Sequence, residues 1–120
     1  MTKKHPTIEH RLAFKIMWGV STKRTHSVED IAAMFGVSIP TIMRACESTP
    51  RFDEGFRGYD QLRPSWEEDR RDKGLPIDDK SWALSLGQAS AHLEQCQVRL
   101  SERLTQTLAR AQARTHHLTS

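Results

Sequence analysis

The 120-residue chain contains few of the residues that mark a secreted, disulfide-stabilised or membrane-bound protein. Its only cysteines are Cys46 and Cys96, and Cys46 falls on a predicted buried helix face. A disulfide framework is therefore not expected, and the pair favours a reduced, cytosolic chain. No apolar run is long enough to cross a bilayer, and Glu9, Arg11 and Lys15 interrupt the N-terminal apolar residues that a signal peptide would need. We expect a cytoplasmic protein with no membrane contact.

The sequence also lacks the motifs that are typical of enzymes. It has no Gly-rich phosphate loop and no Ser, His and Asp grouping in a recognisable context. His92 and Cys96 stand at i and i+4, a spacing that can ligate metal, but two ligands are too few for a structural zinc site. A dimer could pool two such pairs; a small buried cysteine beside an exposed histidine is the favoured interpretation. We expect no catalytic residue, no metal and no cofactor.

Large apolar side chains are scarce, and positive charge is unevenly distributed. Only 37% of the residues are hydrophobic, so a single large core is not expected and oligomerisation would supplement it. The net charge is +3, yet eight basic side chains face four acidic ones up to Arg51. Between Phe52 and Lys80, nine acidic side chains outnumber six basic ones. This distribution suits a polyanionic partner that contacts the N-terminal half.

The stretch from residue 27 to 47, SVEDIAAMFGVSIPTIMRACE, predicts two short helices joined by a tight turn. Ser27 can cap the first helix, because its hydroxyl can accept a hydrogen bond from a free backbone N–H in the first turn. Ile31 and Phe35 lie on one predicted buried face. Gly36 follows at the position where a left-handed residue commonly ends a helix.

The second helix of this stretch begins after Ser38, another candidate cap. Pro40 is tolerated in the first turn, where its missing N–H would have no intrahelical partner. Ile42, followed by Ala45 or Cys46, continues the buried face. An ordinary helical hairpin with a glycine turn is the simplest structural interpretation.

The same stretch resembles the helix-turn-helix of DNA-binding transcription regulators. The matching positions are an aliphatic residue, a small residue, an apolar–glycine–apolar turn and two inward-facing residues: Ile31, Ala32, Phe35, Gly36, Val37, Ile42 and Ala45. The match covers about a sixth of the chain. Pro40 departs from the motif, because it removes a possible polar reader and leaves a rigid apolar contact. The resemblance implies a tri-helical head that reads duplex DNA.

The resemblance also implies which residues contact DNA. The residues expected to face base edges in the major groove are Ser38, Ile39, Pro40, Thr41, Met43 and Arg44. Arg44 is the one strong hydrogen-bonding reader and is best suited to guanine, whereas Ile39 and Pro40 offer apolar contact to a thymine methyl. The residues expected to contact phosphates are Lys23, Arg24, Thr25, Ser27, Arg51 and Arg57.

A helix precedes the motif and would pack behind it. Apolar residues recur at i+4 spacing from Ile8 and predict an amphipathic helix from about Pro6 to Trp18. Thr7 is a candidate N-cap, and the helix is expected to end near Gly19.

Two parts of the predicted head are each open to two interpretations. Residues 1–5 are basic and form either a frayed terminus or a DNA-contacting arm. Residues 51–63 contain aromatic residues and glycines, and form either a short β-hairpin wing or an irregular loop whose rings pack on the first helices. Poor β-alternation favours the loop. The predicted head spans residues 1–63.

The remaining chain is predicted to be helical. Residues 64–77 would form a charged, solvated linker helix. Residues 78–120 predict one long helix of about 35 helical residues, roughly 50 Å in length, capped by Asp78 or Asp79. Its apolar stripe is the predicted dimer interface, formed by Leu86, Ala89, Leu93, Cys96, Leu100, Leu104 and Leu108. Such a stripe must be buried, either against a second copy in a coiled coil or, alternatively, against the chain's own head.

These observations predict an all-α protein with an N-terminal tri-helical helix-turn-helix head and a long C-terminal dimerisation helix. The expected function is sequence-specific regulation of transcription, as a repressor by analogy. The protein would act as a homodimer on a pseudo-palindromic double-stranded DNA operator and be nucleoid-associated. The alternative is an architectural, partition or recombination accessory protein that anchors on DNA and recruits a protein partner through the long helix. A helical interaction module that binds no nucleic acid is a third option.

Overall fold

A computed structural model describes residues 7–96 and 109–114, and this part of the chain is helical with no strand. The α-helices are α1 (Ile8–Val20), α2 (Val28–Phe35), α3 (Ile39–Ala45), α4 (Arg63–Asp72) and α5 (Asp79–Gln95). Two 3₁₀ turns, Phe52–Glu54 and Tyr59–Leu62, lie between α3 and α4, and residues 109–114 are also helical. The all-α class predicted from the sequence is confirmed for the described residues.

Polar side chains cap the N-termini of four of the helices. Thr7, Ser27, Ser38 and Asp78 each accept a hydrogen bond from the backbone N–H three residues later. Each bond satisfies a donor that the first turn of a helix leaves without an intrahelical partner. The predicted caps at Thr7, Ser27 and Ser38 are confirmed, and Asp78 rather than Asp79 caps α5.

Gly36 ends α2 in the left-handed conformation, with φ at 67°. A residue with a β-carbon is strained at this φ, so glycine permits the reversal at low cost. The Val37 backbone N–H then donates to the carbonyl oxygen of Ala32, 3.0 Å away. The predicted turn between α2 and α3 is confirmed at this residue.

Helix α1 lies at the centre of the fold and contacts the other four α-helices. Its buried side chains include Leu12, Phe14, Ile16 and Met17. The helix ends at Val20, next to the predicted end near Gly19. Gly19 is small for a tertiary reason: a β-carbon there would lie 2.5 Å from the Phe56 ring.

Residues 51–63 form the loop that the sequence favoured, and the described chain has no β-hairpin wing here. Phe56, Tyr59 and Leu62 are buried in the common core. Phe56 and Tyr59 pack edge to face, with ring centroids 5.5 Å apart. These rings explain why a segment without regular strands holds a fixed position.

Helix α4 is not the solvated linker that its charged sequence predicted. Trp66 is buried and packs edge to face on Trp82 of α5, with centroids 5.0 Å apart. Arg63 donates to Glu67 within α4 and to Asp79 of α5, at 3.3 and 2.9 Å. One hydrophobic core runs across the predicted boundaries at residues 64 and 78.

Helix α5 is shorter than predicted and packs along α1. It ends at Gln95, with Cys96 as its C-cap, instead of continuing as one helix of about 35 residues. Leu86, Ala89 and Leu93 are buried within the single chain. The alternative in which the apolar stripe folds back on the head therefore describes this part of the chain. Cys96, the next predicted interface residue, is half-buried. The last three, Leu100, Leu104 and Leu108, lie outside the described residues.

Candidate nucleic-acid interface

The pair α2–α3 presents one face of α3 to the core and the opposite face to solvent. Ile31 and Ala32 of α2, with Ile42 and Ala45 of α3, are buried in the core. These residues occupy positions that the sequence predicted to be inward-facing. Because an α-helix has 3.6 residues per turn, burying Ile42 and Ala45 directs the residues between and before them outward.

The outward face of α3 contains the residues predicted to contact bases. Ile39 is 38% exposed and Met43 is 57% exposed. Ser38, Pro40 and Arg44 are also exposed, and Thr41 is half-buried. The Ser38 and Thr41 hydroxyl oxygens are 2.7 Å apart and form a hydrogen bond with each other. Arg44 is the only charged side chain of the predicted base-contacting set.

The turn between α1 and α2 carries three predicted phosphate contacts, Lys23, Arg24 and Thr25, and hydrogen bonds order it internally. The Thr22 backbone N–H donates to the Thr25 hydroxyl at 2.9 Å, and the Thr25 N–H donates back to the Thr22 hydroxyl at 3.2 Å. Lys23 and Arg24 are exposed beside them. Lys23 forms an ion pair with Glu54 at 2.5 Å, and this hydrogen bond raises the pKa of Lys23. Arg24 therefore offers the more available cation.

Ser27 is occupied as a helix cap. Its hydroxyl accepts from the Asp30 N–H, and the Asp30 carboxylate accepts from the Ser27 N–H, both at 3.1 Å. Hydrogen bonds to the Asp30 carboxylate, first from the backbone N–H of Ser27 and then from its side chain, lower the pKa of Asp30. The capping box uses the Ser27 groups that a phosphate would meet and adds a negative charge, which weakens the predicted phosphate contact.

Arg51 is not a surface cation, and its predicted phosphate contact is wrong. The residue is 2% exposed. Its Nη1 donates to the carbonyl oxygens of Thr22, at 3.1 Å, and of His26. Its guanidinium lies 4.0 Å over the Trp18 ring. The buried guanidinium bridges two carbonyl groups of the turn between α1 and α2 and cannot reach a phosphate.

Arg57 is exposed between the two 3₁₀ turns, as a phosphate contact requires. Its backbone N–H donates to the Gln61 side-chain oxygen at 3.0 Å. With Arg110 it lines a shallow cleft of about 300 Å³. The side chain is available for contact, but it belongs to a different surface element from Lys23 and Arg24.

Sequence reasoning missed a cleft behind α3. It has a volume of about 510 Å³ and is lined by residues of α1, α4 and the segment from Arg44 to Pro50. Lys15, which is 5% exposed, is one of the lining residues. A signal was present, because Lys15 follows Leu12 by three residues and Ile8 by seven, which places it on the buried face of α1.

His92 takes part in the contact between α5 and α1, and Cys96 lies at the C-terminal end of α5. The His92 ring stacks on His10, with centroids 3.8 Å apart. Cys96 is partly buried. In residues 7–96 and 109–114, no three His, Cys, Asp or Glu side chains converge as metal ligands would.

None of the helices in the described ranges combines the length and apolar character that a membrane span requires. Comparisons with protein-family models, with curated proteins and with solved structures gave no match for this chain.

Proposed function

We propose that this protein is a sequence-specific double-stranded DNA-binding regulator of transcription, and that α3 enters the major groove. The observation that carries the proposal is the orientation of α3. Ile42 and Ala45 hold the helix on the core, while Ile39, Met43 and Arg44 project into solvent. The major groove of B-DNA is wide enough to admit an α-helix presented in this way.

The chemistry of the exposed face supports a base-reading role. Exposure of apolar surface to water is unfavourable, and a contiguous exposed apolar patch can mark a surface that a partner covers. Ile39 and Met43 are such side chains. Thymine presents a methyl group in the major groove, and guanine presents two acceptors that suit arginine. Arg44, with Ile39 and Met43 on the same short helix, therefore fits a half-site that contains both guanine and thymine.

The contacts expected with the phosphates of the DNA backbone are fewer than the sequence predicted. Arg24 and Arg57 are exposed, and Lys23 can exchange Glu54 for a phosphate because both side chains of this ion pair reach solvent. Arg51 is withdrawn into the core. Phosphate contacts position a protein on DNA without reading its sequence, so these cations would set register and salt dependence.

We further propose that two copies bind a pseudo-palindromic operator as a repressor. Each head presents one short reading helix, and a second head would supply the extra contacts that a specific site needs. The interface would not use Leu86, Ala89 and Leu93, because α1 covers them in each chain. The accessory-protein alternative would likewise need a surface other than these three residues to recruit its partner.

A selection of bound sequences from a random duplex pool tests the proposal, with the full chain as bait. The expected result is one enriched motif whose affinity falls about 10³–10⁵-fold between roughly 50 and 200 mM salt if the complex makes some 6–10 phosphate contacts. Sedimentation of the complex should show two chains on one site, with half-site centres about one DNA turn apart or a multiple of it. Absence of salt-dependent binding would overturn the proposal, and one chain per site would overturn its dimeric form.

A further inference from the structure

The cleft behind α3 has a buried lysine among its lining residues. Helix α1 forms one wall, α4 the second, and the segment from Arg44 to Pro50 the third. The volume of about 510 Å³ lies in the range of small-molecule sites. Lys15 is 5% exposed and enters the cleft from α1.

Lys15 is held by a hydroxyl and not by a carboxylate. Its Nζ donates to Ser65 Oγ at 2.8 Å, and Ser65 Oγ donates onward to the Leu62 carbonyl oxygen at 3.1 Å. Asp69, the acid on the facing helix, instead pairs with Arg11 at 3.1 Å. Within the described residues Lys15 has no ion-pair partner, an uncommon state for a buried lysine, whose charge is costly to bury.

This environment favours the neutral amine. Burial is the largest effect that lowers the pKa of Lys15, and Arg11 lowers it further. Asp69, Cys46 and Glu68 act in the opposite direction but do not reverse the shift. At a given pH a larger fraction of Lys15 is therefore unprotonated than of a solvent-exposed lysine. A neutral amine is the nucleophilic form, and buried lysines are the ones that commonly form Schiff bases.

We propose that Lys15 is a covalent docking site for small aldehydes that enter the cleft. The nitrogen lone pair attacks the carbonyl carbon, a C–N bond forms, and one of the two amine protons passes to the carbonyl oxygen to give a carbinolamine. The second amine proton passes to the hydroxyl, which leaves as water while the C=N bond forms. The balance is one amine and one aldehyde giving one imine and one water, with no oxidation or reduction.

The charges of the cleft select the class of aldehyde. Glu47, Glu68 and Asp72 line it and are exposed, whereas Arg44 is the exposed cation among the lining residues. The paired Arg11 and Asp69 cancel each other. An anionic carbonyl compound such as a keto acid would be repelled, so we assign the site to uncharged aldehydes. The assignment does not depend on DNA binding.

Reductive alkylation of the full-length protein tests the proposal. Propionaldehyde and cyanoborohydride, which traps the imine as a stable secondary amine, are added near neutral pH, and the yield at each lysine is read by peptide mass mapping. Lys73 and Lys80 are exposed and serve as references in the same molecule. Lys15 is expected to be alkylated ahead of both, and to lose this preference in the urea-unfolded chain.

Two results would overturn the assignment. A Lys15 yield at or below those of Lys73 and Lys80 in the folded protein would show a protected structural lysine. A preference that persists in urea would show that the flanking sequence, and not the cleft, is responsible. Glyoxylate in place of propionaldehyde tests the charge argument: the Lys15 preference should shrink, and an unchanged preference would refute selection for uncharged aldehydes.

Discussion

The guanidinium of Arg51 lies 4.0 Å over the indole ring of Trp18 and donates to the carbonyl oxygens of Thr22 and His26. One side chain thus joins the segment after α3 to the end of α1 and to the start of α2. Planar stacking and a fork of donors are properties of arginine that lysine does not share. A lysine at this position would keep the positive charge but could not make the same contact.

We expect Arg51→Lys to lower the free energy of unfolding by about 1–3 kcal/mol, because the carbonyl oxygens that accept from Nη1 would lose a buried partner. Urea unfolding measures the change. Arg57→Lys is the matched control, since Arg57 is exposed, and it should leave the midpoint nearly unchanged. Equal effects of the two substitutions would contradict the structural role of Arg51.

Gly19 and Gly87 form a second matched pair for stability. Gly19 approaches the Phe56 ring so closely that a β-carbon would lie 2.5 Å from it, whereas Gly87 has open space around it. Both are helical. Gly19→Ala should destabilise the fold by about 1–3 kcal/mol through overpacking, and Gly87→Ala should stabilise it by about 0.5–1 kcal/mol. Thermal melts of the two variants should move in opposite directions, and a stabilising Gly19→Ala would show that Phe56 is not seated there.

Arg44→Ala tests the reading helix. If Arg44 contacts guanine, the variant should lose about 1–3 kcal/mol of specific binding and accept any base at one operator position. Arg71→Ala removes the same charge from an exposed site on α4 and should preserve both affinity and selectivity. Arg24→Ala should weaken all sequences alike, as expected for a phosphate contact. A variant at Arg44 that retains the full sequence preference would refute the assigned orientation of α3.

Replacement of thymine by deoxyuridine in the selected operator tests the apolar part of the reading face. The change deletes one methyl group and leaves base pairing intact. At a position contacted by Ile39 or Met43, affinity should fall roughly fourfold, which corresponds to about 0.8 kcal/mol for a buried methyl-sized group. Met43→Ala should make the operator insensitive to the same replacement. Binding that ignores every such replacement would leave the DNA proposal standing and remove the thymine contacts from it.

The stacked rings of His10 and His92 predict a dependence of stability on pH. Burial, and then the neighbouring His92, lower the pKa of His10 from its ordinary value of 6.5, while Glu9 opposes the shift. The unfolded chain thus binds this proton at a higher pH than the folded chain does. The stabilisation is complete above about pH 6.5 and is lost as the pH falls through the lower pKa of the folded state.

Urea midpoints measured between roughly pH 7.5 and 5.5 should fall with pH in the wild type and fall less in His10→Gln. The carboxylates with lowered pKa values, Asp30, Glu54 and Asp78, lose their stabilisation in a more acidic range, because a lowered carboxyl pKa acts below the ordinary carboxyl range. An identical pH slope in wild type and His10→Gln would contradict the role of the ring pair.

Local elements of the fold could be predicted because they depend on residues close in sequence. Ser27 and Ser38 cap helices through bonds that span three residues, and Gly36 ends α2 through its own φ. The inward positions of α2 and α3 follow from helical periodicity, which any reader of the sequence can count. The candidate reading face of α3 was therefore predictable, with each of its residues exposed or half-buried as expected.

Tertiary structure decided what these elements pack against, and composition gave no guide to it. An apolar stripe such as Leu86, Ala89 and Leu93 satisfies the hydrophobic effect equally well against α1 or against a second copy, because that effect has no direction. The charged sequence of α4 gave no indication that Trp66 would be buried in the core. Arg51 carries an ordinary positive charge in the sequence, and only the packing of the fold buries it, with its guanidinium over the ring of Trp18. The place of Lys15 on the buried face of α1 follows from its spacing, but its contact with the Ser65 hydroxyl does not.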